Sequence, residues 1–519
     1  MLPMAAGVLT RFSYSVLAEI ASRAWYEYYD RIKFEPTPRT TVLRHYQGRV
    51  YTNLSVSAQL DSQQGHIEPV ILQIDQQPRP LADWQKPGML AGLGVGRIQK
   101  RINQTLDALT AELPEITARA RQWYMKTQEL KWSQAEILQI MEEIERFGVA
   151  SMVAFFAARH NLGLTYYQLL RTASDSNDFP KSLSLVNDAF SDLDDLPESI
   201  MAQQILEMSQ LGTDDPALTA WIEAGDFDNW QETLPHEQYR DGIQEFLSTY
   251  GHRAVDEGEI SNPRFGEDIT PLIHAIWACA KLELKRPINT TAAPKVEALL
   301  NGVQSGQRKQ AQNLITKASQ LLQLQSEALN AFAYILAGTR RWIQAATDEA
   351  MSDARLQQLD DGFFFELEEL KEMMTGERNI SQRDAIQADV AQNRAAHTEW
   401  LAASPPLLLI GDDGEADSAH GGYSAVSGQA FGPLRDWSLA DPSRCHTAIV
   451  GTDGLTSGWA LTLPIVECYI TASGTPYDPL ATVARAWHVP TVMGLGPRLA
   501  GLMEGAQTTV DGELGLVDQ

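Results

Sequence analysis

The sequence predicts two parts: a large, mainly helical domain over residues 1–400 and a small α/β domain over 423–519, joined by a linker at 401–422. Three observations carry this division. Long polar and apolar mixtures at helical spacing, with few glycines inside them, fill the first part. The texture changes at Ala402-Ala403-Ser404-Pro405-Pro406 and in the acidic, glycine-rich stretch from Gly411 to Gly422, the composition of a connector. Short β-like runs then flank one helical pattern.

Taken in order, Gly48 to Leu54 alternates as a strand does. Gly92-Leu93-Gly94-Val95-Gly96 opens a helical pattern and, with no strand before it, reads as a loop-to-helix hinge rather than a phosphate cradle. Helices are expected over Ile98 to Gln128, Ser133 to Asn161, Arg308 to Thr347 and Glu366 to Met374. Ser133 is placed as a helix cap with Glu136 at capping-box spacing, and Asn289-Thr290 as another cap. In the last part, His446 to Val450, Val466 to Thr471 and Pro490 to Met493 read as strands, with a helix from Pro479 to Trp487. Pro479 falls in its first turn, where a missing N–H costs nothing. No internal repeat or low-complexity tract is present.

Composition narrows the function. The net charge of −26 repels phosphate backbones and anionic lipid heads, so nucleic-acid and membrane-surface roles are not expected. Cys279, Cys445 and Cys468 are odd in number and form no C-x-x-C pair, which argues against a disulfide framework and a structural zinc site. No run approaches 18 apolar residues and no basic stretch precedes the apolar start, so the cytoplasm is the expected compartment.

Residues 474–494 read Gly-Thr-Pro-Tyr-Asp-Pro-Leu-Ala-Thr-Val-Ala-Arg-Ala-Trp-His-Val-Pro-Thr-Val-Met-Gly. This resembles the phosphohistidine-domain signature of the phosphoenolpyruvate-utilising enzymes, Gly-Gly-x-x-Ser-His-x-Ala-x-x-Ala-Arg-x-x-Gly-Ile-Pro-x-Val-x-Gly. The frame fits at Gly474, Ala481, Ala484, Arg485, Pro490, Val492 and Gly494, but the Ser-His pair falls on Asp478-Pro479. Proline has no ring nitrogen to attack a phosphate. At about 100° per helical residue His488 stands roughly 900° on from Pro479, on the opposite face, and is expected to be a surface or packing histidine.

Four further segments resemble the rifampicin-phosphotransferase-like and phosphoenolpyruvate-synthase-like branch of that family. They are Gly48 to Tyr51 with Asn53, Tyr250 to Phe265, Asp361 to Leu370, and Trp459 with Thr471 and Gly474. The second follows a pattern close to Tyr-Gly-x-Arg-x-x-Gly-Glu-x-Asp-x-x-x-Pro-Arg-Trp, matched at Tyr250, Gly251, Arg253, Glu257, Pro263 and Arg264, with Asp256 in place of a usual glycine. Such proteins carry an ATP-grasp domain, a helical acceptor-binding domain and a swivelling histidine domain. The resemblance implies only the last two here, since the residues ahead of Gly48 are too few for an ATP-grasp fold.

The resemblance implies a helical chamber for a bulky, largely apolar molecule bearing hydroxyl groups. The expected function is a repurposed, non-phosphoryl step such as cyclisation, dehydration or isomerisation. The alternatives are a phosphotransferase subunit paired with a separate ATP-grasp chain, and a non-catalytic scaffold. Such a pocket uses few polar groups among many apolar ones. Tyr250, Trp123, Phe155 and Tyr166 are the candidate lining residues. The polar segment supplies His252, Arg253, Glu257, Glu259 and Arg264 as candidate catalytic groups: clustered carboxylates raise one another's pKa and an arginine lowers it. The plain reading of Arg253 and Glu257, four apart, is an ion pair. No cofactor is implied. The oxygen-rich set would suit magnesium better than zinc, but its spacing is no metal motif, so no metal is assigned.

Overall fold

The helical periodicity of the first four hundred residues and the α/β texture of the last hundred both persist in three dimensions. The computed structural model describes residues 4–36, 42–64, 92–173, 179–191, 193, 195–211, 215–284, 293–404, 406–410, 415–417, 422–436 and 445–519. The cap placed at Asn289-Thr290 lies outside them. Helix Gln134–Ala173 opens on the expected capping box: Glu136 Oε2 accepts from Ser133 N at 2.7 Å, and Glu136 N donates to Ser133 Oγ at 3.4 Å. The glycines at 92–96 form the first turn of helix Gly92–Glu129.

The chain divides into two compact units. The first comprises residues 1–167, 258–261 and 320–403; the second comprises 168–257, 262–319 and 404–519. In the first, helix Arg11–Ile32 buries Phe12, Val16, Ile20, Ala24 and Tyr28, a stripe of helical period. Trp342, in helix Arg308–Ser352, donates its indole N–H to Ile137 O at 2.8 Å. The strand expected near Gly48 is β2 (Arg49–Thr52), paired antiparallel with β1 (Leu43–Tyr46). Their turn places Gln47 and Gly48 at φ of 46° and 74°, the double left-handed conformation of a tight hairpin.

The second unit holds the antiparallel pair β3 (Leu408–Ile410) and β4 (Glu415–Asp417). It also holds β5 (Tyr423–Val426), β6 (Gln429–Asp436), β7 (Ile449–Thr452), β8 (Cys468–Thr471), β9 (Thr491–Met493), β10 (Gln507–Asp511) and β11 (Leu516–Asp518), which form one sheet in the order β11-β10-β6-β7-β8-β9-β5. β6 to β9 run parallel; β10 pairs antiparallel with β6 and with the edge strand β11, and β5 pairs antiparallel with β9 at the other edge. Side chains alternate across it. Ile449, Cys468 and Ile470 join Val492 and Val510 in one core; Val450 and Tyr469 face the other way. That second core is shared with helices Pro197–Ser209, Glu237–Tyr250, Thr270–Lys281 and Pro479–Ala486, so the sheet and these helices are one packing body.

Candidate functional site

At the carrier position of the signature, β8 gives way to a loop that leads into helix Pro479–Ala486. Asp478 is its N-cap residue and Pro479 its first residue, both buried. The Asp478 carboxylate turns back into the loop, accepting from Thr475 N at 2.8 Å and Thr475 Oγ1 at 2.7 Å. The retained Arg485 reaches back from the helix and donates to Pro476 O at 2.7 Å and Ala425 O at 3.0 Å. The signature's arginine thus pins a closed loop. His488 lies past the helix end, exposed and at φ 54°, a surface histidine as expected.

The segment Tyr250 to Arg264 follows helix Glu237–Tyr250 as a string of turns. In the second unit Arg253 donates through Nε to Glu257 Oε2 at 2.8 Å and through Nη2 to Oε1 at 2.9 Å, a fork-to-fork pair. Arg264 Nη1 donates to Glu257 O at 3.1 Å. His252, Arg253, Glu257 and Arg264 are all buried, and Tyr250 packs on Phe246 with centroids 5.3 Å apart. Burial pushes the Glu257 carboxyl above its ordinary range, with Arg253 and Arg264 pulling it back. Glu259 belongs to the first unit, where it accepts from Thr10 N (2.6 Å), Thr10 Oγ1 (2.9 Å), Ser13 Oγ (2.8 Å) and Ser261 N (2.8 Å). The structure therefore groups Arg253, Glu257 and Arg264 and leads Glu259 elsewhere.

Two partners of this segment are not foreseeable from spacing. Glu198, fully buried in the first turn of helix Pro197–Ser209, accepts from Ser457 Oγ at 2.5 Å and stands 3.9 Å from Arg253 Nη2. Asp256 adopts φ 51°, the left-handed conformation that explains a glycine at this position in the family pattern. Its Oδ1 accepts from Trp459 Nε1 at 3.1 Å, and its N–H donates to Thr456 Oγ1 at 3.0 Å. Burial pushes the Asp256 carboxyl to about 6, with Trp459 opposing and Asp453 and Glu257 adding to the rise. Two of the resembling segments thus meet through one carboxyl–indole bond.

Of the expected lining residues, Phe155 and Tyr166 are fully buried core in the first unit. Trp123 instead lines a groove of about 680 Å³. A polar pair was also missed. Asp61 Oδ1 lies 3.1 Å from His160 Nε2, within ion-pair distance but off the hydrogen-bonding axis, so each atom lacks a hydrogen-bond partner among the described residues. Trp25 and Tyr29, which pack beside the pair, carry a buried N–H and O–H in the same condition. Asp61 and His160 lie on separate helices, each among other polar residues, so nothing in the sequence joins them.

Among the described residues, no three of His, Cys, Asp and Glu come together as a metal-ligand group, and no helix is long and apolar enough to cross a membrane. Residues 149–344 match a family model described as the rifampicin phosphotransferase fourth domain, and residues 445–515 match one described as the mobile domain of PEP-utilising enzymes. No curated protein is a significant match to the chain.

Proposed function

We propose, for a chain that belongs to the rifampicin-phosphotransferase-like branch of the phosphoenolpyruvate-utilising family, that it binds a bulky, apolar, oxygen-bearing metabolite and promotes a step without phosphoryl transfer. The step is a cyclisation, a dehydration or an isomerisation in natural-product biosynthesis. The observation that carries this reading is Pro479, buried at the first position of its helix where the family's carrier histidine would stand. A chain that keeps the acceptor-type helices and loses the carrier retains the means to hold a substrate. Holding a flexible ligand in a reactive conformation lowers a barrier by up to roughly 7–11 kcal/mol in ideal cases.

Within the Tyr250 to Arg264 segment, Glu257 is assigned the proton transfer, because burial brings its carboxyl nearer the range in which an acid and a base both work at neutral pH. His252 and Arg253 polarise a substrate oxygen. Glu259 and Arg264, engaged with Ser13 and the Glu257 carbonyl, hold the segment in shape. Cys279, Cys445 and Cys468, all buried and in no disulfide, support a reducing compartment, the cytoplasm.

The test is incubation with hydroxylated apolar metabolites drawn from the gene neighbourhood, followed by mass spectrometry. An isomeric product, or one lighter by a water, supports the reading. A phosphorylated product overturns it, as does tight binding with no product. Glu257→Gln and Arg253→Ala, each checked for fold by thermal melting, locate the chemistry: turnover that survives in folded samples of both clears the segment of a catalytic role.

A further inference from the structure

We infer that the groove on the first unit is a binding site for an apolar carboxylate, whose anionic group is met by Arg146. The groove lies between helix Gly92–Glu129 and the first half of helix Gln134–Ala173. Its floor is apolar: Ile116, Trp123, Phe147 and Ala150. Its polar residues are Arg119, Gln122, Lys126, Glu143 and Arg146, so three cations face one carboxylate in a chain whose net charge is −26.

That single carboxylate is already engaged. Glu143 accepts from Trp123 Nε1 at 2.9 Å, from Lys126 Nζ at 3.2 Å and from Gln139 Nε2 at 3.2 Å. Arg119 pairs with Glu115. Arg146 differs: its guanidinium lies 4.9 Å from the centroid of the Phe147 ring, and among the described residues it has no carboxylate partner. A guanidinium held against an aromatic face keeps its fork of N–H donors available to an incoming carboxylate. The anion takes Arg146, and the apolar body takes the floor.

The floor is built before a ligand arrives. The Trp123 indole is buried, fixed at its N–H by Glu143 and packed beside Phe147 with centroids 6.0 Å apart. Behind it lies Gly338 of helix Arg308–Ser352, where a Cβ would come 2.3 Å from Trp123 Cζ3; only glycine leaves the ring its place. A wall whose rotamer is set in advance costs little ordering entropy on binding. The inference concerns binding alone and stands whether or not the catalytic reading holds.

The probes are 1-pyrenebutyrate and 1-pyrenebutanol, which share an apolar body and differ in charge. Each is titrated into the full chain by fluorescence at neutral pH and low salt. The acid is expected to bind about tenfold more tightly than the alcohol, the order of one charge-assisted contact. Arg146→Gln removes that preference and leaves alcohol binding unchanged. Arg146→Lys restores part of it. Ala150→Phe, which fills the floor, abolishes binding of both, with circular dichroism checking the fold. Equal affinity for the two probes overturns the inference, as does a preference that survives Arg146→Gln or binding indifferent to Ala150→Phe.

Discussion

Asp256 concentrates three constraints on one residue. It holds a left-handed backbone conformation, accepts from the Trp459 indole, and carries a carboxyl that burial pushes to about 6. Because this folded-state value lies above the ordinary 3.8, the group favours the folded state below that ordinary value, and its contribution is lost as pH rises through 6. Asp256→Asn keeps a side chain that tolerates the left-handed region and removes the buried charge. The variant is expected to melt higher than the parent at pH 8, by on the order of 2–3 kcal/mol of stability, with the gap closing towards pH 4. Melting curves across that range check it; a constant gap would mean that the carboxyl does not titrate differently on folding. Arg253 and Glu257 pose a harsher trade. Removing either partner strands the other in the interior, at a cost of about 3–5 kcal/mol, which is why fold must be measured beside turnover.

Among the secondary-structure elements, helix Gln134–Ala173 depends on a local device. Ser133 and Glu136 satisfy backbone N–H groups at its exposed start. Ser133→Ala is expected to cost about 1 kcal/mol, read as a lower melting temperature with little change in helix content. Helix Pro479–Ala486 carries the functional consequence. Its first residue offers no nitrogen nucleophile, and the loop before it is closed by Asp478 and Thr475. Incubation with labelled ATP or phosphoenolpyruvate is therefore expected to leave no alkali-stable label on any histidine. Label that appears only when a separate ATP-grasp chain is added would instead identify a split phosphotransferase.

At the scale of the whole molecule, the second unit joins the C-terminal sheet to the helices packed on it through one apolar core. Gly458 shows how close the approach is: a Cβ there would lie 1.9 Å from Ala254 O, while neighbouring Ser457 bonds to Glu198. Gly458→Ala is expected to destabilise by about 1–3 kcal/mol or more, because neither backbone can yield without disturbing the packing around it. A sheet that shares a core with helices opens with them. Hydrogen exchange should give similar protection free energies for β7, β8 and helix Thr270–Lys281. Much weaker protection throughout the sheet alone would show a domain that still swings free.

What the sequence by itself determined is what neighbours along the chain decide. Helical periodicity marked the long helices, Ser133 with Glu136 marked a helix start, and Pro479 was legible both as a first-turn residue and as a lost nucleophile. Three of the seven sheet strands were visible as short apolar runs. β5, β10 and β11 were not, because they are too short to show a pattern, and β6 was not, because Gly432 and Pro433 interrupt its run. Only the tertiary structure decided the partners. It joined Asp256 to Trp459, Glu198 to Ser457, and Asp61 to His160, and it left Arg146 beside an apolar floor while Glu143 was engaged by its neighbours. Polar residues far apart in sequence meet through the packing of the elements that carry them. The energy of each contact depends on burial and geometry, which no spacing along a chain records.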